Sequence, residues 1–344
     1  MKKIFPICAV VAILFFAACK KGLDISPDLN ISYPAAYVVN GGDNNIKVVD
    51  LATNTVKETI SLGGATFPHH IYFNKDKSLM AVAIISQDLS GGHASHNASA
   101  KGFRILVLDT KTGNLKQDLK TTSLPHNGIF SPDGTELWIG QGSDAGQVLV
   151  YKVSDFSLAN TINVGKQPSE VTFSADGTLV FVANTGDGTV SVINPATKAV
   201  TSTITVGKAP VGAWAGSNGM MYADNETDQT VSEIDTKTLK VTETISLGFK
   251  PGYVAYNDLT KEVWVSDATN GKIIYYKIIS GKWTKQGEIV TGVDAHAIVF
   301  TTDHKTAYVT NQGAGTISVI KTTDHKVTAT VTVGSKPNGV VIKE

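Results

Sequence analysis

The chain has little of several residues that functions commonly depend on. Its two cysteines, Cys8 and Cys19, both fall in the first twenty residues, so no disulfide can staple the remainder of the chain and no thiolate is available there to a metal. Arg104 is the only arginine, which all but removes sites that clamp a phosphate or carboxylate with a bidentate guanidinium. Lysine plus arginine number 30 and aspartate plus glutamate 30, with no basic tract. Nucleic acid needs a concentrated positive footprint and is excluded as a partner on that ground. No apolar run reaches the roughly 20 residues that a permanent membrane-spanning helix needs. There is no Gly-x-Ser-x-Gly elbow, phosphate loop, dinucleotide fingerprint or Cys-x-x-Cys-His heme attachment, so the sequence leans away from catalysis.

What is present begins at the N-terminus. Lys2 and Lys3 precede an apolar stretch over residues 4–16, then the small residues Ala17 and Ala18, then Cys19. That order is the charged, hydrophobic and small-residue sequence of a signal peptide, expected over residues 1–18. The ending Phe16-Ala17-Ala18-Cys19 resembles the lipobox of bacterial lipoproteins, which implies a lipid-modified Cys19 as the first mature residue. Acyl chains there would hold the protein on a membrane, each buried methylene contributing about 0.8 kcal/mol. The resemblance implies the cell envelope. Lys20 does not resemble the inner-membrane retention signal, so the expected place is the outer membrane, facing the periplasm. Residues 19–33 lack strand alternation and read as the lipidated cysteine followed by a flexible tether. Without Lys2 and Lys3 the chain carries 28 basic against 30 acidic residues, a formal charge of −2.

From residue 34 onward one unit recurs: a Val-Gly-Lys-x-Pro opening, a short apolar strand, a turn, a second strand ending in Asn, a Gly-rich turn, a Thr-Val-Ser-Val-Ile strand and a Thr-rich strand. Openings fall at Pro68, Pro125, Pro168, Pro210, Pro251, Ala295 and Pro337, with steps of 57, 43, 42, 41, 44 and 42 residues. Period-two alternation and β-branched residues make these segments strands. Four strands in about 42 residues is the spacing of a propeller blade. Residues 34–62 supply only the second, third and fourth strands of a unit, and the last residues, Gly339 to Lys343, supply only a first. Joined, they make a closing blade shared by the two termini. The fold predicted is all-β, a seven-bladed β-propeller of four-stranded blades over residues 34–344.

The copies Phe181-Val182-Ala183-Asn184 and Tyr308-Val309-Thr310-Asn311 resemble the YVTN family of propeller repeats, the second letter for letter. That resemblance implies a bacterial envelope protein with a surface or binding role. Related propellers include lactonases and metal-bearing reductases, so a quinoprotein-like, lactonase-like or metal-dependent periplasmic enzyme is the alternative. Fold alone does not choose between them.

In such a fold the loops that open each inner strand lie on one face with the loops joining second and third strands. Alignment on Phe73, Phe130, Phe173 and Phe300 puts His69, His126 and His296 at equivalent positions, with His70 beside His69. The long first step comes from an insertion at about 87–102 that carries His93 and His96. Six of the eight histidines thus fall near one mouth of the channel. His304 and His325 fall elsewhere and read as solvated turn residues. Imidazoles without thiolates suit copper or zinc, and Glu170 and Asp294 are candidate oxygen donors or ligand-binding groups. A protein or small molecule bound at this face is the expected partner, besides the membrane reached through Cys19. Trp138, Trp264, Trp214 and Trp283 read as packing residues. Asn184, Asn225, Asp267 and Asn311 read as caps of the turn after the second strand, through side-chain bonds to backbone.

Overall fold

The structure is a computed structural model that describes residues 23–89 and 100–344. Residues 1–18, expected to be a signal peptide, Cys19, expected to be lipidated, and His93 and His96 lie outside the described residues. Twenty-eight strands form seven four-stranded antiparallel sheets, and no described residue is helical. Six blades open on the strands Pro68–Phe73, Gly128–Phe130, Pro168–Phe173, Pro210–Ala215, Pro251–Asn257 and Ala295–Phe300, and are numbered 1 to 6 in that order. In blade 7 the C-terminal strand Pro337–Lys343 pairs with Ala35–Asn40, followed outward by Asn45–Asp50 and Thr55–Ser61. The ring is closed by strands from opposite ends of the chain, as the partial repeats predict. Closure leaves no long inner sheet edge exposed.

Within a blade the second strand is the most buried. Ala35–Asn40, Val180–Asn184 and Glu262–Asp267 are buried throughout, whereas the outermost Thr55–Ser61 and Lys240–Ser246 alternate toward solvent. Blades are joined by aromatic edges. Tyr37 meets Phe73 at 5.4 Å, Trp138 meets Phe173 at 5.7 Å and Trp264 meets Phe300 at 5.3 Å, each ring near-perpendicular to its partner. In all three the second-strand aromatic of one blade abuts the phenylalanine that ends the inner strand of the next. Such contacts add about 0.5–1.5 kcal/mol beyond the area they bury. Trp138 and Trp264 are therefore packing residues, as their strand positions suggest.

The hairpin turns arise from local chemistry. Gly134 and Gly177 take φ of 78° and 72° after Asp133 and Asp176, whose carboxylates accept from the backbone and hydroxyl of Thr135 and Thr178. Asp267 caps the turn after its second strand as expected, accepting from Asn270 N at 3.1 Å, whereas the asparagines at the equivalent positions act differently. The amides of Asn184, Asn225 and Asn311 each donate to a threonine and a serine hydroxyl on the third strand, at 2.9–3.0 Å, and so tie side chain to side chain.

Two further expectations change. Residues 23–33, expected to be part of a flexible tether, lie against blades 7 and 1. Ile25 and Ile31 are buried among Ile46, Ile60 and Leu62, and the backbone bonds Leu29 N to Thr112 O and Leu115 N to Ile25 O fix the segment. Two apolar anchors six residues apart suffice where strand alternation is absent. Replacing Ile25 and Ile31 by alanine is expected to cost about 2 kcal/mol each, seen as a lower urea midpoint, since each deletes a buried aliphatic side chain. His304 and His325 occupy turns with positive φ, yet both make contacts between blades. His325 stacks on Tyr275 at 3.9 Å and its Nε2 lies 2.9 Å from Oε2 of buried Glu262, while His304 Nδ1 accepts from Asp258 N.

Candidate metal centre on the propeller axis

Each inner strand opens at the same face, so its first side chains converge on the axis. His69 and His70 come directly after Pro68 in blade 1, His126 precedes the short inner strand of blade 2, Glu170 lies in blade 3 and His296 in blade 6. All five are at most 4% exposed. Consecutive residues of a regular strand point to opposite faces. The pairing of blade 1 shifts register between Pro68 and Ile71, and this bulge lets His69 and His70 both reach the cluster. The inner strand of blade 2 is only three residues long. In its place the side-chain amide of Asn127 accepts from Val171 N at 3.1 Å and donates to Val171 O at 2.8 Å, imitating a strand partner.

One ligand atom from each of His69, His70 and His126 falls within 4.8 Å of the others. Their rings stand 4.5–4.7 Å apart, centroid to centroid, at steep angles. His296 lies at the margin, its ring 6.3 Å from that of His69 and 6.2 Å from that of His70. Asp294 sits in the turn before Ala295, half-buried with a left-handed backbone, and does not join the group of three.

Glu170 organises the cluster from beside it. Its Oε2 lies 2.8 Å from His126 Nδ1 and 3.2 Å from His70 Nδ1, and its Oε1 accepts from Tyr72 Oη at 2.5 Å and Asn127 Nδ2 at 2.7 Å. Four donors saturate the lone pairs of one carboxylate. Burial by itself would raise its pKa, but the two imidazoles and their hydrogen bonds outweigh it and hold the group down at about 2. An ionised carboxylate only accepts. Each facing ring therefore carries a proton on Nδ1, and in the neutral ring Nε2 keeps the lone pair that a metal would take. A carboxylate behind a ligating histidine is the arrangement that fixes tautomer and ring orientation in metal sites.

Aromatic residues complete the wall. Trp214, which the sequence places on the channel strand as packing, stacks on Tyr253 at 3.7 Å and stands 6.0 Å from His70. Its Nε1 and the backbone N of Gly212 both donate to Asp224 Oδ1 at 2.8 Å. Burial together with the charge of Glu170 pushes the phenols of Tyr72 and Tyr253 above their ordinary range. Sequence reasoning missed Tyr72, Asn127, Tyr253 and Asp224. The spacing Tyr72 to His70, two residues along one strand, was the available signal for the first.

Comparison with known proteins agrees with the fold and goes little further. Residues 140–292 match the family model of the choice-of-anchor I domain. Over 95 residues the chain is 27% identical to the uncharacterized protein YncE of Salmonella typhimurium. That match spans 27% of this chain and 26% of YncE, so about a quarter of either protein is compared. Among solved structures, the periplasmic gluconolactonase PpgL of Pseudomonas aeruginosa superposes with a TM-score of 0.71 at 19% identity, covering 90% of this chain and 99% of that one. A functionally unknown protein from Desulfotomaculum acetoxidans gives 0.71 at 13%, covering 90% and 98%. Hydrazine synthase of Kuenenia stuttgartiensis gives 0.65 at 17%, covering 79% and 88%. What these structures share with the chain is the propeller.

Proposed function

We propose that this chain is an envelope lipoprotein, anchored through Cys19 at the outer membrane and facing the periplasm, whose propeller holds a first-row transition metal on its axis. The observation that carries this reading is the convergence of His69, His70 and His126 within 4.8 Å. Bonds of about 2.0–2.1 Å to a tetrahedral ion put ligand nitrogens about 3.3 Å apart, so small ring movements bring the trio onto one ion. Three imidazoles and no thiolate favour copper or zinc, and the ordinary order of divalent affinities puts copper first. Glu170 would serve as the partner behind two of the ligands, and His296, its ring more than 6 Å from those of His69 and His70, stands outside the trio. Binding at this face, with a protein or small molecule as partner, is the wider role.

Elemental analysis of the purified protein after exposure to copper, zinc and nickel tests the reading. One equivalent of metal is expected, lost in a His69→Ala/His70→Ala/His126→Ala variant that keeps its circular dichroism spectrum. A protein that stays metal-free, or a triple variant that binds as well as the parent, overturns it. The gluconolactonase fold of PpgL gives a second reading, a lactone-hydrolysing enzyme. Turnover of a lactone panel by the metal-loaded protein, abolished in the same variant, would favour it.

A further inference from the structure

His70, one of the three clustered histidines, lines a small, partly open space. A cavity of about 20 Å³ lies against His70, walled by Tyr72, Tyr253, Ala297, Gly339 and Val340. A single water needs roughly 10–15 Å³ measured this way, so the space admits one water or the outer end of a short ligand. A sugar ring or a lactone does not fit. His70 Nε2, the nitrogen left to ligate once Nδ1 faces Glu170, is buried without a hydrogen-bond partner.

The walls of this cavity are held from several sides. A Cβ on Gly339 would meet His69 O at 2.8 Å and His70 Cα at 3.0 Å, so the C-terminal strand is pressed directly onto the histidine backbone. Tyr253 lies against the Trp214 indole, and Tyr72 is held by its hydrogen bond to Glu170. A cavity bounded by such fixed groups has a definite size. Three protein nitrogens also leave a four-coordinate ion one position short. Sites with three protein ligands are those that keep a place for an exchangeable one.

We infer that the metal held by His69, His70 and His126 keeps one exchangeable coordination position opening onto this cavity, and that the position takes ligands of one to three heavy atoms and excludes larger ones. Water, hydroxide and azide belong to the class; a carboxylic acid bearing a ring does not. The inference rests on reading the cluster as a metal site. It deepens that reading by giving the site a ligand class set by volume. The first atom of azide would sit in the coordination sphere and the remaining two in the cavity.

The test uses the full chain loaded with Cu(II), titrated with sodium azide and separately with benzoate. Azide is expected to give a saturable charge-transfer band and a changed electron paramagnetic resonance spectrum, and benzoate neither. Ala297→Val adds two methyl groups to the wall and Val340→Leu adds one. At unchanged copper content each is expected to weaken azide binding at least tenfold. The inference is overturned if azide leaves the spectra of the loaded parent unaltered, if benzoate shifts them as azide does, or if filled variants that retain copper bind azide like the parent. Should neither variant fold, the azide and benzoate comparison on the parent still decides. A parent that takes up no copper overturns the metal reading itself and the inference with it, and elemental analysis separates that outcome from the others.

Discussion

Deleting residues 337–344 is expected to abolish the cooperative fold at room temperature. The lost strand, Pro337–Lys343, is the inner strand of blade 7, and its register with Ala35–Asn40 runs from Ala35 opposite Lys343 to Asn40 opposite Pro337. It buries Val340 and Ile342 against Ala36, Val38, Tyr308 and Val319, worth about 1.5–3 kcal/mol for each side chain. It also spans the gap between first and last blades. Asn338 O accepts from Thr310 Oγ1 of blade 6, Ile342 O accepts from Lys77 Nζ of blade 1, and Lys343 Nζ donates to Thr110 Oγ1. Without it the second strand of blade 7 becomes a bare inner edge and the histidine backbone loses its cover at Gly339. Total stabilities of native domains are about 5–15 kcal/mol, so losses of this size at the one place where the ring is sewn shut are enough to open it. Thermal unfolding followed by circular dichroism should show no sharp transition. Removing Glu344 alone should leave the transition within a few degrees of the parent. A truncated protein that melts like the parent would mean that the ring does not depend on its closing strand.

The propeller was legible because its repeat is imposed by the fold. Each blade needs the same turns and the same alternation, so the step of about 42 residues, the Asp-Gly hairpins and the split seventh unit all write themselves into the sequence. The same logic exposed the histidines. His69, His126 and His296 stand at a position that other blades fill with Ser169, Val211 or Gly252, and a residue that the repeat does not demand is one the fold leaves open to other uses. What stayed hidden depends on geometry across blades. Glu170 reads in the sequence as a candidate oxygen donor, and only the ring shows that it stands behind His126 and His70, 44 and 100 positions away, as their hydrogen-bond partner. Period-two reasoning would also have sent His69 and His70 to opposite faces. The bulge that reunites them has no sequence mark beyond the proline that opens the strand. Residues 23–33 misled for a related reason. A segment pinned by Ile25 and Ile31 and a few backbone bonds needs no alternation, so its pattern is that of a linker.

Glu170→Gln is expected to weaken metal binding by about 10–100-fold while leaving the fold in place. Glutamine keeps the shape but cannot accept at both ends. If its oxygen stays with Tyr72 and Asn127, its amide nitrogen turns donors toward His126 and His70 where the parent offers an acceptor. The facing Nδ1 atoms must then give up their protons, which move to Nε2 and occupy the lone pairs a metal would use. If the amide flips, Tyr72 and Asn127 face the wrong group and the histidines keep an acceptor, so some affinity survives. The same substitution changes acid stability in the metal-free protein, with a sign fixed by the shift. The carboxyl of Glu170 is held down at about 2 in the folded chain against an ordinary 4.5. Its contribution to stability is therefore complete above pH 4.5 and is lost as the pH falls from there toward 2. Urea midpoints of parent and variant should differ most near neutrality and draw together across that interval. Competition of the two proteins with a copper chelator measures the affinity. Equal affinities would show that the carboxylate does not position the histidines, and a gap in midpoints that stays constant down to pH 2 would show that it does not enter the folded state as an ion.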